Sequence, residues 1–68
     1  METTSARNQL KGRVTSVKLG TVMAEVTVRV GDNDIVAAIT RNSVERMGIK
    51  EGDEVSAIIK ATSVMIGK

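Results

Sequence analysis

The feature that most limits the fold of this chain is a strict alternation of residue types over residues 21–30. Every second residue from Val22 to Val30 is apolar, and Thr, Met, Glu or Arg occupies the positions between them. A period of two over β-branched residues predicts a strand that buries one of its faces. The chain is therefore expected to be built on β-strands.

The segments on either side of this strand have weaker strand patterns. Residues 10–19 alternate imperfectly, and a change of phase near Ser16 predicts a β-bulge, followed by a turn at Gly20. Residues 31–34, GDND, predict a hairpin turn. Residues 35–40 are apolar on both faces, which suggests that one face of this third strand contacts another subunit.

The pattern changes after residue 40. Asn42 is a candidate N-cap, Glu45 stands where a capping box places an acid, and Gly48 fits the position just past a helix. A turn at 50–53 and strands at 54–60 and 63–67 follow. The order predicts an all-β fold with one short helix. We expect one domain over residues 1–68: an OB-like, five-stranded Greek-key barrel with the helix between strands three and four.

Composition limits how such a small domain is stabilised. The chain has 68 residues and no Cys, His, Phe, Tyr or Trp, so disulfides and the usual zinc ligands are excluded. A domain of about 60 residues buries only ~60% of the surface of its unfolded chain. Small domains of this kind usually need a partner subunit, so a homo-oligomer is expected.

Several classes of function are disfavoured by residue type. Without His or Cys the common general base and nucleophile are missing, and no carboxylate spacing suggests a catalytic pair, so an enzyme is not expected. The net charge of +2 is too small to indicate a nucleic-acid partner, and no aromatic residue is present to stack on bases. No segment resembles a signal peptide or a membrane span, so we expect a cytoplasmic protein without a membrane partner.

Hydrogen-bond donors are concentrated near the predicted strand ends. Arg7 begins the first strand and Lys60 ends the fourth. A guanidinium fork and a compact ammonium, completed by hydroxyl and amide groups, suit a tetrahedral oxyanion. Solvated strand ends are the alternative interpretation. The residues alone indicate an oligomer that binds an anion or a partner, and they do not decide between the two.

Four segments resemble the molbindin family of small molybdate-binding Mop proteins. They are SARNQLKG at 5–12, GTVMAEV at 20–26, AAITRNSVERMGIKEGDEV at 37–55 and IIKATSVMIG at 58–67. The same TOBE-type module occurs as paired domains in molybdate-responsive regulators and transporter ATPases. The resemblance extends over nearly the whole chain, from Ser5 to Gly67, and residues 27–34 are its least diagnostic part.

The resemblance implies a fold, an assembly and a ligand. These are an OB-like barrel, a homohexamer arranged as a trimer of dimers, and molybdate or tungstate bound at subunit interfaces. The implied main-site residues are Ser5, Arg7, Lys60 and Ala61, with Thr40 from a neighbouring subunit. Weaker candidates are the backbone of Gly20, Thr21 and Val22, and, for sites on the threefold axes, Asn8, Gln9, Asn42 and Ser43.

The function implied by the resemblance is storage of molybdenum inside the cell. The oxyanion would bind unchanged, without direct metal-cation ligands, and discrimination from sulfate would come mainly from size. An OB-fold nucleic-acid-binding module or a ligand-sensing regulatory module is the alternative. The position of Met1 shortly before the first motif favours a free-standing protein.

Overall fold

The computed structural model describes residues 4–68, which form one antiparallel sheet and one short α-helix. Within that range the structure has four strands: β1 (Asn8–Leu19), β2 (Met23–Val30), β3 (Asn33–Thr40) and β4 (Glu54–Ile59). Helix α1 (Arg41–Met47) lies between β3 and β4, as predicted.

The strands are ordered β3-β2-β1-β4 across the sheet. In this order the fourth strand returns past the two hairpins to lie beside the first. The all-β class with one short helix is confirmed, but the predicted five-stranded barrel is not. In the part of the chain that is described, β3 and β4 form the two edges of a four-stranded sheet.

The predicted fifth strand at residues 63–67 is wrong for the single chain. After β4 the backbone makes one 3₁₀ turn over Ala61–Ser63, and residues 64–68 have no regular structure. A strand needs a neighbouring strand to satisfy its backbone N–H and C=O groups. The turn directs the chain away from the ladder with β1, which ends at the pair Asn8–Ile59.

The bulge predicted near Ser16 is confirmed. The pairing of β1 with β2 passes from Val14–Val28 to Ser16–Thr27, which leaves Thr15 as the extra residue. The backbone N–H of Val14 donates to the carbonyl oxygen of Asp53 at 2.9 Å, in the turn that precedes β4. The bulge therefore lets β1 remain paired on both sides while its facing pattern reverses.

The hairpin turn between β2 and β3 is shorter than the four residues predicted for it. Val30 pairs with Asn33, so only Gly31 and Asp32 form the loop, and Asn33 and Asp34 belong to β3. Gly31 has φ 59°, a left-handed value at the first central position that favours glycine in a two-residue turn. At the other end of β2, Thr21 and Val22 lie outside the strand, and Val22 is exposed rather than buried.

The prediction of Asn42 as N-cap is wrong, because Thr40 caps helix α1. The Oγ1 atom of Thr40 accepts a hydrogen bond from the backbone N–H of Ser43 at 3.1 Å. The C-terminal end matches the prediction: Gly48 has φ 63°, and the N–H of Ile49 donates to the carbonyl oxygen of Val44 at 3.1 Å. This is the Schellman arrangement, and it also brings Ile49 against the core.

Replacing Thr40 with Val is expected to lower the free energy of unfolding by about 1 kcal/mol, because the helix loses its N-cap acceptor. Urea denaturation in the absence of molybdate measures this loss. Thr40→Ser keeps the hydroxyl and is the matched control. Equal midpoints for the Val and Ser variants would show that the cap contributes nothing.

The core is small. Its buried members are Val14, Ala24, Val26, Val28 and Val44. The exposed apolar surface is larger in comparison, and the side chains of Met65 and Ile66 in the C-terminal segment are 92% and 90% exposed. Such a segment of apolar residues is unusual for the free surface of a soluble monomer.

Candidate functional site

The ends of β1 and β4 bring together one group of predicted site residues. Asn8 is the last residue of β1 to pair with β4, and its partner is Ile59. Arg7 directly precedes Asn8 and Lys60 directly follows Ile59, so the two cations flank the last pair of the ladder. We call this group the first donor cluster, and its members are Ser5, Arg7, Asn8, Gln9, Lys60 and Ala61.

The first donor cluster carries positive charge without local compensation. Residues 4–10 and 58–63 contain Arg7 and Lys60 but no Asp or Glu. Neither cation forms an ion pair with a carboxylate within residues 4–68, whereas Arg13, Arg29 and Arg41 each do. Both cations are exposed. Two uncompensated positive charges on adjacent strand ends are suited to a dianion.

The neutral members of this cluster are partly used within the chain. The Asn8 side-chain amide donates to the carbonyl oxygen of Ile59 at 3.1 Å, and that of Gln9 donates to the carbonyl oxygen of Ala6 at 2.9 Å. These bonds fix the path of the chain into β1. The 3₁₀ turn after Lys60 uses the N–H groups of Ser63 and Val64, and not that of Ala61.

A second group lies where β3 enters helix α1. A shallow cavity of about 400 Å³ is lined by Thr21, Val22, Thr40, Arg41, Asn42 and Glu45. We call these residues, with Gly20 and Ser43, the second donor cluster. The hydroxyl of Thr40 donates to the Ser43 hydroxyl at 2.8 Å while it caps the helix.

Arg41 is a member of the second donor cluster that sequence reasoning missed. Its guanidinium donates to the carbonyl oxygen of Gly20 at 3.3 Å, and its backbone N–H donates to the carbonyl oxygen of Val22 at 2.8 Å. Arg41 therefore holds the turn between β1 and β2 against the start of α1. The sequence signal for Arg41 is that it is a basic residue directly between Thr40 and Asn42, which are both candidate oxyanion-binding residues.

The two donor clusters lie at opposite ends of β1. At about 3.3 Å per residue, the twelve residues of β1 separate its ends by roughly 35 Å, and the long dimension of the molecule is 34 Å. A single tetrahedral ion cannot contact both clusters of one chain. Thr40 can therefore join Arg7 and Lys60 only when it comes from another copy.

No metal-cation site or membrane helix was found in the described range. Within residues 4–68, no three Asp or Glu side chains are grouped so that they could hold a metal ion. No helix of that range is long and apolar enough to cross a membrane.

Residues 4–66 match the TOBE domain family. Molybdenum-pterin-binding protein 1 of Clostridium pasteurianum is 52% identical over 63 residues, which covers 91% of this chain and 93% of that protein. The probable molybdenum-pterin-binding protein of Haemophilus influenzae is 44% identical over 64 residues, which covers 93% of each.

Solved structures resemble the whole chain as well. The apo2 form of MopII from Clostridium pasteurianum superposes with a TM-score of 0.91 at 49% identity, covering 97% of this chain and all of that one. A molybdate-binding protein from Sporomusa ovata gives a TM-score of 0.94 at 37% identity, covering 98% and 100%. The cytoplasmic molybdate-binding protein ModG, solved with molybdate bound, gives 0.83 at 39% identity, with 88% of this chain matching 43% of ModG.

Proposed function

The chain belongs to the TOBE domain family, and within that family we propose that it binds molybdate as an intact oxyanion and catalyses no reaction. Relatives of the same length are named as molybdenum-pterin-binding proteins, and structures of the same fold are described as molybdate-binding. Molybdate is a tetrahedral dianion, so the site requires converging donors and positive charge rather than metal ligands.

The observation that carries this proposal is the position of Arg7 and Lys60 directly beyond Asn8–Ile59, the last pair of the β1–β4 ladder. The two cations come from adjacent strand ends, and no carboxylate within residues 4–68 forms an ion pair with either of them. Two positive charges balance the two negative charges of the ion, so a partly dehydrated complex keeps no net charge. The Ser5 hydroxyl and the backbone of Ala61 would complete the shell of donors.

The site is proposed to close between subunits of a homohexamer, a trimer of dimers. Thr40 lies near one end of β1 and Arg7 and Lys60 near the other, and the first donor cluster is open to solvent. A second copy would supply Thr40 and exclude water from the ion. The exposed apolar residues of the C-terminal segment and the two open sheet edges give such an assembly surface to bury.

Asn8, Gln9, Asn42 and Ser43 are proposed to line further oxyanion sites on the threefold axes of the hexamer. The turn at Gly20 to Val22 would add backbone donors there or at the main site. These residues lie within the two donor clusters, at opposite ends of β1. Contact between opposite ends of neighbouring copies would therefore bring both sets together.

The physiological role that we propose is storage and buffering of molybdate in the cytoplasm, with tungstate as a second ligand. Tungstate has the same charge and tetrahedral shape, so the same donors accept it. Discrimination against sulfate follows from size, because a rigid shell spaced for the larger ion fits sulfate poorly. The structural relative ModG is itself described as cytoplasmic. The proposed function involves neither a membrane nor a nucleic acid.

Native mass spectrometry with molybdate, and with sulfate as the control, tests the assembly and the ligand together. A hexamer that carries several molybdate ions and few sulfate ions is expected. Because the ion would bind only the assembled form, bound molybdate should stabilise the hexamer. On dilution, the hexamer should therefore dissociate at a lower protein concentration with molybdate than without it, and the opposite order would contradict the proposal. A monomer or dimer without bound molybdate would overturn the proposal.

Replacing Lys60 with Met is expected to weaken molybdate binding by about 1.5–3 kcal/mol per site, since a hydrogen bond to a charged group is lost. The sheet should stay folded, because Lys60 lies beyond the last paired residue of β4. Equilibrium dialysis with molybdate measures the change. Lys18→Met removes an exposed lysine near the other end of β1 and is the control. Equal losses in both variants would remove Lys60 from the site.

A further inference from the structure

A second positively charged region lies on the solvent side of the sheet and begins at Lys11, two residues along β1 from Gln9 of the first donor cluster. Its groove has a volume of about 680 Å³, and we call it the arginine groove. The side chains that line it on this face are Lys11, Arg13, Arg29, Glu54 and Ser56.

Strand register sets the charges of this groove in a row across all four strands. Arg13 on β1 is directly opposite Arg29 on β2, and their outer neighbours are Glu54 on β4 and Asp34 on β3. Directly opposed side chains lie on the same face of a sheet, and like charges in such positions destabilise it. The two central arginines are therefore a local electrostatic cost to the free protein.

The donors of the groove are largely unused. The closest contact of Arg13 to Glu54 is 3.8 Å between Nη2 and Oε1, too long for a hydrogen bond. Arg29 uses Nε on the carbonyl oxygen of Gly31 and Nη1 on Asp34, which leaves Nη2. Lys11 stands opposite Ser56 on the neighbouring strand, so an ammonium and a hydroxyl adjoin the guanidinium pair.

We propose that the arginine groove binds the phosphate group of a small phosphorylated organic molecule, as a site separate from the oxyanion site. Lys11, Arg13 and Arg29 carry three positive charges against the two negative charges of Glu54 and Asp34, so the row keeps a net charge of +1 that favours an anionic phosphate monoester. The volume lies in the range of sites for small organic ligands and exceeds what a bare tetrahedral ion fills.

The arrangement also explains why Glu54 is held loosely. Its side chain is 86% exposed, so its pairing with Arg13 is worth little and an incoming phosphate can replace it. Arg13 then exchanges a weak monodentate contact for a charge-assisted, forked one. Both arginines project from central strands of the sheet, which fixes the backbone positions from which their side chains extend.

The test is an NMR titration of the full chain, ¹⁵N-labelled and saturated with molybdate, with phenyl phosphate and with inorganic phosphate. Phenyl phosphate is expected to shift the amide signals of residues 11–13, Arg29 and Ser56 in a saturable way. It should bind at least several-fold more tightly than inorganic phosphate. Shifts confined to the region of Arg7 and Lys60, or equal affinity for the two compounds, would overturn the proposal.

Three variants make the test specific to the groove. Arg13→Gln should weaken phenyl phosphate binding about tenfold, whereas Lys18→Gln, which removes the same charge elsewhere on β1, should change it less than twofold. Glu54→Gln should tighten binding because it removes the competing carboxylate. Equal effects of Arg13→Gln and Lys18→Gln, or weaker binding by Glu54→Gln, would count against the groove. Molybdate binding should not change in any of the three, so this result is independent of the proposed oxyanion site.

Discussion

Replacing Arg7 with Ala is expected to weaken molybdate binding by about 2–4 kcal/mol per site, or roughly 30- to 1,000-fold. The guanidinium is one of only two cations in the first donor cluster, and no carboxylate within residues 4–68 pairs with it. Its removal leaves Lys60 alone against a dianion in a partly dehydrated site. Isothermal titration of the variant with molybdate measures the loss.

Arg46→Ala is the matched control for this variant. Arg46 is exposed in the last turn of α1, and it makes no ion pair within the described residues. The Arg46→Ala variant loses the same charge as Arg7→Ala, so it measures any effect of net charge alone on binding. Unchanged affinity in Arg7→Ala, or an equal loss in Arg46→Ala, would exclude Arg7 from the site. Native mass spectrometry of both variants without molybdate shows whether the assembly is retained.

The strands that could be predicted are those whose pattern depends on neighbours within the chain. The alternation of residues 21–30 defines the buried face of β2, and the phase change at Ser16 identifies the bulge, because both patterns reflect which residues face the core. Gly48 was predictable since a left-handed residue after a helix favours glycine. Local chemistry and one core therefore account for most of the sheet and for the helix end.

The features that could not be predicted depend on a choice between equivalent local signals. Thr40 and Asn42 are both good N-cap residues, and the sequence does not show which one leaves the strand and starts the helix. The segment at 63–67 has strand-like residues, yet strand structure also requires a partner, and none is available beyond Ile59 within the described chain. In both cases the residue types favour the predicted structure, but the sequence does not show which groups form the hydrogen bonds.

In the candidate site, too, local features could be predicted and long-range contacts could not. Arg7 and Lys60 could be placed at strand ends from the sequence, whereas only the β1–β4 register, a long-range contact, shows that these two ends are adjacent. Arg41 was missed because its role is to bind the turn at Gly20, twenty-one residues earlier in the chain. The residue types that bind an anion can be read locally, but the elements that position them cannot.

Replacing Gly12 with Ala is expected to lower the free energy of unfolding by about 1–3 kcal/mol, the usual cost of forcing extra atoms into a packed core. A Cβ atom at this position would lie 2.5 Å from the backbone carbonyl oxygen of Arg29 and 2.7 Å from a methyl group of Val28. The carbonyl cannot rotate away, since it belongs to the central strand pair. Each kcal/mol should lower Tm by roughly 4–8 °C in a domain of this size.

The sign of this change is diagnostic, because Gly→Ala without a clash usually stabilises a protein by about 0.4–1 kcal/mol through the unfolded chain. Gly67→Ala supplies that reference, since nothing lies within 4 Å of the position where its Cβ would be. Urea denaturation of both variants is compared at one protein concentration. A Gly12→Ala variant as stable as Gly67→Ala would show that β1 and β2 are not in close contact at Gly12, and the registry of Arg13 against Arg29 would then have to be revised.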